Sequence, residues 1–225
     1  MPKNIEAIEN REKCYSCFRP MTSCMCKYIN RFYTETLFVI LMHPKEFRKT
    51  KNGTGHFTHL SLTNSKMFIG IDFTNNKEIN NILDDNSLNC YLLYPDNNSV
   101  KLNTQTIAKD NKKNVIFIID STWPCSRKIL ALSKNIKNLP KVSFEHTKLS
   151  EFKIKTQPNK FCLSTIESTL CILELLNQHK IENIESKYLD SFLLPFYKMV
   201  EYQVECSASI KERVPRFLKR DKSYK

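Results

Sequence analysis

Residues 115–120 read Val-Ile-Phe-Ile-Ile-Asp. Five consecutive apolar residues, β-branched or aromatic, have no polar side to show to solvent, so a strand built from them must be covered on both faces. Residues 34–43, Thr-Glu-Thr-Leu-Phe-Val-Ile-Leu-Met-His, make a second such run and stop at Pro44. Strands of this kind belong to a parallel sheet, whose crossover connections lay helices over both faces. Shorter strands are expected at 66–71, 90–95 and 141–144.

Between the strands the sequence offers helices. A weak one lies near 76–84. Another starts at Pro124, a good first-turn residue, and runs to about Leu139 with Ile129, Leu130, Leu132 and Ile136 on one face. The clearest spans 163–180: Ser164 and Glu167 form an S-x-x-E capping box, and Ile166, Leu170, Leu173 and Leu176 make the apolar stripe. A last helix covers about 186–205, with Leu189, Phe192, Leu193, Phe196 and Val200 inward and a kink at Pro195. Residues 45–59, KEFRKTKNGTGHFTH, read as a polar loop. The expected fold class is therefore α/β, a mainly parallel sheet with helices on both faces. The chain divides into a lead-in and cysteine segment (1–30), an α/β domain (31–205) and a basic tail (206–225).

A chain of 225 residues can bury such a core without disulfide staples. Its start, MPKNIEAIENREK, lacks the apolar stretch of a secretory signal, and no run approaches the roughly 20 apolar residues of a membrane span. A cytoplasmic protein with reduced thiols and no membrane partner is expected. The net charge of +12 favours a polyanionic partner, since neutralising phosphates releases counterions; a solvated lysine-rich surface is the plainer alternative. No obligate protein partner is evident.

Four of the nine cysteines crowd into one segment: Cys14, Cys17, Cys24 and Cys26. Thiolates at this spacing can close a tetrahedral zinc site, and the metal replaces a core that so short a segment cannot build. Four ligands leave no open position, which makes the site structural. Cys90, Cys125, Cys162, Cys171 and Cys206 are scattered and read as small core residues.

Ligands of open α/β sheets sit beyond the carboxyl ends of the strands, where Asp120 lies. Asp120 and Trp123, the one tryptophan, have two readings. They are a turn or N-cap residue and a core plug, or a carboxylate and a stacking ring in an active site. The P-loop, the Rossmann glycine motif, H-E-x-x-H and G-x-S-x-G are all absent.

Five motifs then occur in order: CYSCFRPMTSCMC (14–26), LMHPKE (41–46), LLYP (92–95), DSTW (120–123) and LSTIES (163–168). Together they resemble the DTW-domain family, the tRNA-uridine aminocarboxypropyltransferases. The resemblance implies a SPOUT-like α/β fold, a knot in its C-terminal part being one possibility. It implies S-adenosylmethionine as donor of a 3-amino-3-carboxypropyl group to N3 of a tRNA uridine, with methylthioadenosine released. It implies catalytic roles for Asp120, Thr122 and Trp123, with Asp120 as general base or only as an orienting group. The donor would be held by Leu93, Tyr94, Pro95, Leu163, Ser164, Thr165 and Glu167, the last having the capping box as its alternative role. His43, Glu46, Arg127, Lys153 and Lys155 would face the RNA. His43 has a strand-end hydrogen bond as its alternative, and the lysines stand where relatives often carry arginine, keeping charge without the bidentate fork. Arg19 would meet phosphate or cap the zinc loop. Two rival readings stay open: a methyltransferase using the same donor, and a non-enzymatic zinc-bearing RNA-binding protein.

Overall fold

Among the described residues, six strands form one sheet in the order β2-β1-β5-β3-β6-β4, every neighbouring pair parallel. They are β1 (Leu37–Met42), β2 (Ser65–Ile69), β3 (Leu88–Leu93), β4 (Val100–Lys101), β5 (Lys113–Asp120) and β6 (Lys141–Ser143). The computed structural model describes residues 12–48, 53–147, 150–152 and 162–213. The two long apolar runs are the central pair, in register from Leu37 opposite Val115 to Met42 opposite Asp120. Phe38 to Met42 and Val115 to Phe117 are all fully buried, as strands without a polar side must be.

The alternation along each central strand divides the core in two. Phe38, Ile116, Ile118 and Val142 face one way. They meet Phe57 of α2 (Thr54–Ser61), Ile172, Leu173 and Leu176 of α6 (Thr165–Gln178), and Phe196 of α8 (Leu194–Arg213). Val39, Leu41, Val115 and Phe117 face the other way. They meet Ile79 and Ile82 of α3 (Lys77–Leu83), Ile129 of α4 (Trp123–Leu132) and Ile136 of α5 (Lys134–Lys137). Each such side chain contributes roughly 1.5–3 kcal/mol on burial. The mainly parallel α/β sheet covered on both faces is thus the observed fold.

Local details differ from the sequence reading. Residues 45–59 are not a loop. They hold α1 (Pro44–Arg48) and α2, whose inward positions are Thr54, Gly55, His56, Thr58 and Ser61 beside Phe57. Small and polar residues buried this way leave no hydrophobic period to read. The helix expected over 124–139 breaks at Ser133, which is non-helical (φ −84°, ψ 84°) and fully buried, its Oγ accepting from the Phe73 N–H at 3.0 Å. Leu132, expected inward, is consequently exposed. Pro195 does not kink one long helix but separates two, α7 (Ser186–Ser191) and α8, because it lacks the N–H needed to continue α7. Strand β4 went unforeseen at two residues. Among the described residues no helix is long and apolar enough to cross a membrane.

Connections leave β1 and β5 in opposite directions: β1 leads out to β2, while β5 leads across β3 to β6. The carboxyl ends of β1 and β5 are therefore a topological switch point, the place where open α/β sheets hold ligands.

Candidate active site and metal centre

Asp120 is the last residue of β5 and lies at that switch point, 7% exposed. Its carbonyl accepts from the His43 N–H at 3.0 Å, which extends the β1–β5 ladder past its end. Its Oδ1 accepts a 2.6 Å hydrogen bond from Thr165 Oγ1, in the first residue of α6. On its other side the backbone of Gly55 comes so close that a Cβ there would overlap Asp120 Oδ2 and stand 2.9 Å from Met42 Cε. Gly55 is in the first turn of α2, so a helix end with partial positive charge faces the carboxylate. Two helices and two strands thus fix one buried acid.

Beside it opens a cavity of about 280 Å³ at the carboxyl ends of β3, β5 and β6. Leu93, Tyr94, Pro95, Leu163, Thr165 and Trp123 line it, which brings together the LLYP, LSTIES and DSTW segments. Trp123 is no core plug. It is 41% exposed, on the first turn of α4, and stands edge-to-face to Tyr94 with ring centroids 6.0 Å apart. Asp120 itself is not among the lining residues; Thr165, which holds it, is. Thr122 is the N-cap of α4, and its carbonyl accepts from the Ser126 N–H at 2.8 Å, so its contribution here is to the turn. Ile118 and Ile119 of β5 also line it, and Ser121, Ser126, Ser143, Phe144, His146, Cys162 and Ser168 complete the lining. Sequence reasoning gave none of these seven a place in the site, reading Cys162 as a core residue and Ser121 and Ser168 only as parts of the DSTW and LSTIES motifs.

Ser164 and Glu167 build the start of α6 and stand apart from the cavity lining. Glu167 accepts from the Ser164 N–H (2.8 Å) and Oγ (2.6 Å), the Ser150 hydroxyl (2.9 Å) and the Glu151 N–H (2.9 Å). The carboxylate caps the helix and clamps residues 150–151 against it. His43 is 4% exposed, and its Nδ1 accepts from the Lys45 N–H at 3.0 Å, so the neutral ring carries its proton on Nε2. Glu46 is buried in the first turn of α1, and Arg127 is exposed on α4. Lys153 and Lys155 lie outside the described residues.

Before β1, Cys14, Cys17, Cys24 and Cys26 gather their sulfurs within 4.8 Å of one another. Cys14–Cys26 and Cys17–Cys24 are each 3.7 Å apart, close to the sulfur separation of about 3.8 Å expected around a zinc with 2.3 Å bonds. No disulfide joins any of the four. The backbone N–H of Cys17 lowers the Cys14 thiol to about 6, while burial raises Cys17 and Cys26. Arg19 is 2% exposed, stacked 4.3 Å over the Phe57 ring, with Nη2 buried and unpartnered. Burial lowers it to about 10, and Cys17, Cys24 and Cys26 oppose that shift. A buried guanidinium beside thiols is compensated when those thiols are anionic, as they are around a metal ion. The four sulfurs could hold such an ion, with Arg19 as countercharge.

The sequence was also compared with known proteins. The model of the family described as DTW domain matches residues 11–204. Among curated proteins, the chain is 27% identical over 221 residues to tRNA-uridine aminocarboxypropyltransferase 2 of Drosophila melanogaster, covering 95% of this chain and 83% of that one. It is 23% identical over 219 residues to the protein of that name from Macaca fascicularis (96% and 71%), and 24% over 211 residues to that of Mus musculus (92% and 68%). No solved structure matches the chain. With cysteine segment, sheet and α6 all inside the matched span, the chain belongs to the DTW domain family.

Proposed function

We propose that this protein modifies tRNA as an aminocarboxypropyltransferase, with S-adenosylmethionine as donor and N3 of a uridine as acceptor. The observation that carries this reading is Asp120 of the DSTW motif, held between Thr165 and Gly55 at the switch point and adjoining the cavity. The names of the relatives support the same activity.

The donor occupies the cavity, its purine beside Tyr94 and Trp123. The uracil imide N3–H gives its proton to the Asp120 carboxylate. N3 then bonds to the γ-carbon of the aminocarboxypropyl group as the carbon–sulfur bond breaks. That electron pair stays on sulfur, which leaves as neutral methylthioadenosine. The sulfonium already activates the carbon, so the protein's share is alignment, proton acceptance and exclusion of water. The four cysteines hold a structural zinc ion that takes no part in the transfer.

The decisive test incubates the purified protein with S-adenosylmethionine and unmodified tRNA, then digests the RNA and weighs the nucleosides. Uridine carrying aminocarboxypropyl, with one methylthioadenosine per transfer, is expected. Methylated uridine, or RNA binding without any product, would overturn the assignment.

A further inference from the structure

The cysteine segment holds an aromatic ring almost wholly out in solvent: Tyr15 is 94% exposed. Its backbone is nonetheless fixed. Cys14 N–H donates to the Arg19 carbonyl and Phe18 N–H to the Cys14 carbonyl, both at 2.8 Å, and Cys14 and Cys17 anchor either side of it in the thiol cluster. A ring presented on a rigid turn loses little freedom when it stacks on a partner.

The mooring of the segment fixes which side of the fold carries that ring. Phe18, in the left-handed region at φ 58°, turns back onto Phe47 of α1 and His56 of α2, with centroids 5.9 and 5.8 Å away. Arg19 seals the join over Phe57. α1 follows directly on β1, and α2 brings Gly55 against Asp120. The cysteine segment therefore docks on the β1 side of Asp120, whereas the cavity opens on the β3 and β6 side. The exposed charges on the segment and on α1 are mostly basic: Lys13, Lys27, Lys45 and Arg48 against Glu12.

We propose that the cysteine segment is the RNA-recognition arm of the site. Tyr15 stacks on an unpaired base beside the target uridine, and the neighbouring lysines neutralise the flanking phosphates. This inference rests on the proposed RNA acceptor. It divides the work, with the donor held in the cavity and the RNA gripped by the cysteine segment.

Binding of a fluorescently labelled unmodified tRNA is measured for the full chain and for two variants whose metal content matches it. Tyr15→Ala is expected to weaken binding about tenfold, and Tyr15→Trp to restore it. A fully paired, blunt-ended RNA duplex of similar charge should show no dependence on Tyr15. Wild-type affinity in Tyr15→Ala, or equal losses on tRNA and duplex, would overturn the stacking role. Transfer is assayed separately: tRNA that binds through Tyr15 and is never modified sinks the proposed reaction and leaves the recognition arm standing.

Discussion

Thr165 Oγ1 and Asp120 Oδ1 are 2.6 Å apart, although 45 residues separate them in the chain. That bond joins the start of α6 to the end of β5, and it makes one wall of the cavity depend on the acid just behind it. Thr165→Val should keep the fold and lower kcat more than it raises the KM for the donor. Thr165→Ser should recover most of the loss. A change in KM alone would mean that Thr165 serves only as cavity lining.

Asp120→Asn keeps the shape and removes the proton acceptor. Single-turnover transfer should fall by about 10²–10⁴ while donor affinity, measured by calorimetry, changes little. Transfer at the normal rate would rule out Asp120 as the base.

Gly55→Ala adds one methyl where Asp120 Oδ2 already lies. Overpacking of this kind costs about 1–3 kcal/mol, and relief must come from moving Asp120 or α2. Urea unfolding should show the loss of stability, and transfer should suffer beyond it. The same change at Gly70 meets the ring edge of Phe73 instead of Asp120 and should leave transfer intact.

Glu167 gathers donors from Ser150, Glu151 and Ser164 into one buried carboxylate. Glu167→Ala leaves them without an acceptor and should cost about 3 kcal/mol in a denaturant midpoint series. A loss below 1 kcal/mol would contradict a structural clamp and favour a direct role toward ligand.

Burial, with Arg19 close by, lowers His56 from its ordinary 6.5 to about 4. Unfolded, the ring takes a proton as pH drops through 6.5; folded, it resists until about 4. The unfolded state therefore binds more protons between these values, so stability falls as pH falls across that window and is level above it. Thermal melts of His56→Gln should slope less between pH 6.5 and 5 than those of the wild type.

Cys24→Ser should lower the zinc content, counted by elemental analysis, and the thermal stability together. A metal-free variant as stable and active as the parent would contradict a structural metal.

Much of this architecture is legible in the residues. Val115–Ile119 and Leu37–Met42 announce a sheet buried on both faces because continuous apolar runs have no other use. Ser164 and Glu167 mark the start of α6 because a capping box has its own chemistry. α2 escapes because its inward side is Thr, Gly, His and Ser, which make no hydrophobic period, and Gly55 is there for close approach to Asp120. Of the site, motif order foretold which segments meet. It did not foretell that Thr165 would stand between Asp120 and the cavity, or that β6 would add Ser143. Those depend on three-dimensional approach, which no spacing encodes.

The strand order also constrains how the chain is made. β1 pairs on one side with β2, close behind it, but its other edge waits for β5, which begins at Lys113. At ribosomal rates of about 5–20 residues per second, Leu-Phe-Val-Ile-Leu-Met stands with an open edge for several seconds. Non-local parallel pairing is slow to form and prone to aggregate meanwhile. Nascent chains stalled before β5 should be chaperone clients, and slower translation should not rescue them until that strand has emerged.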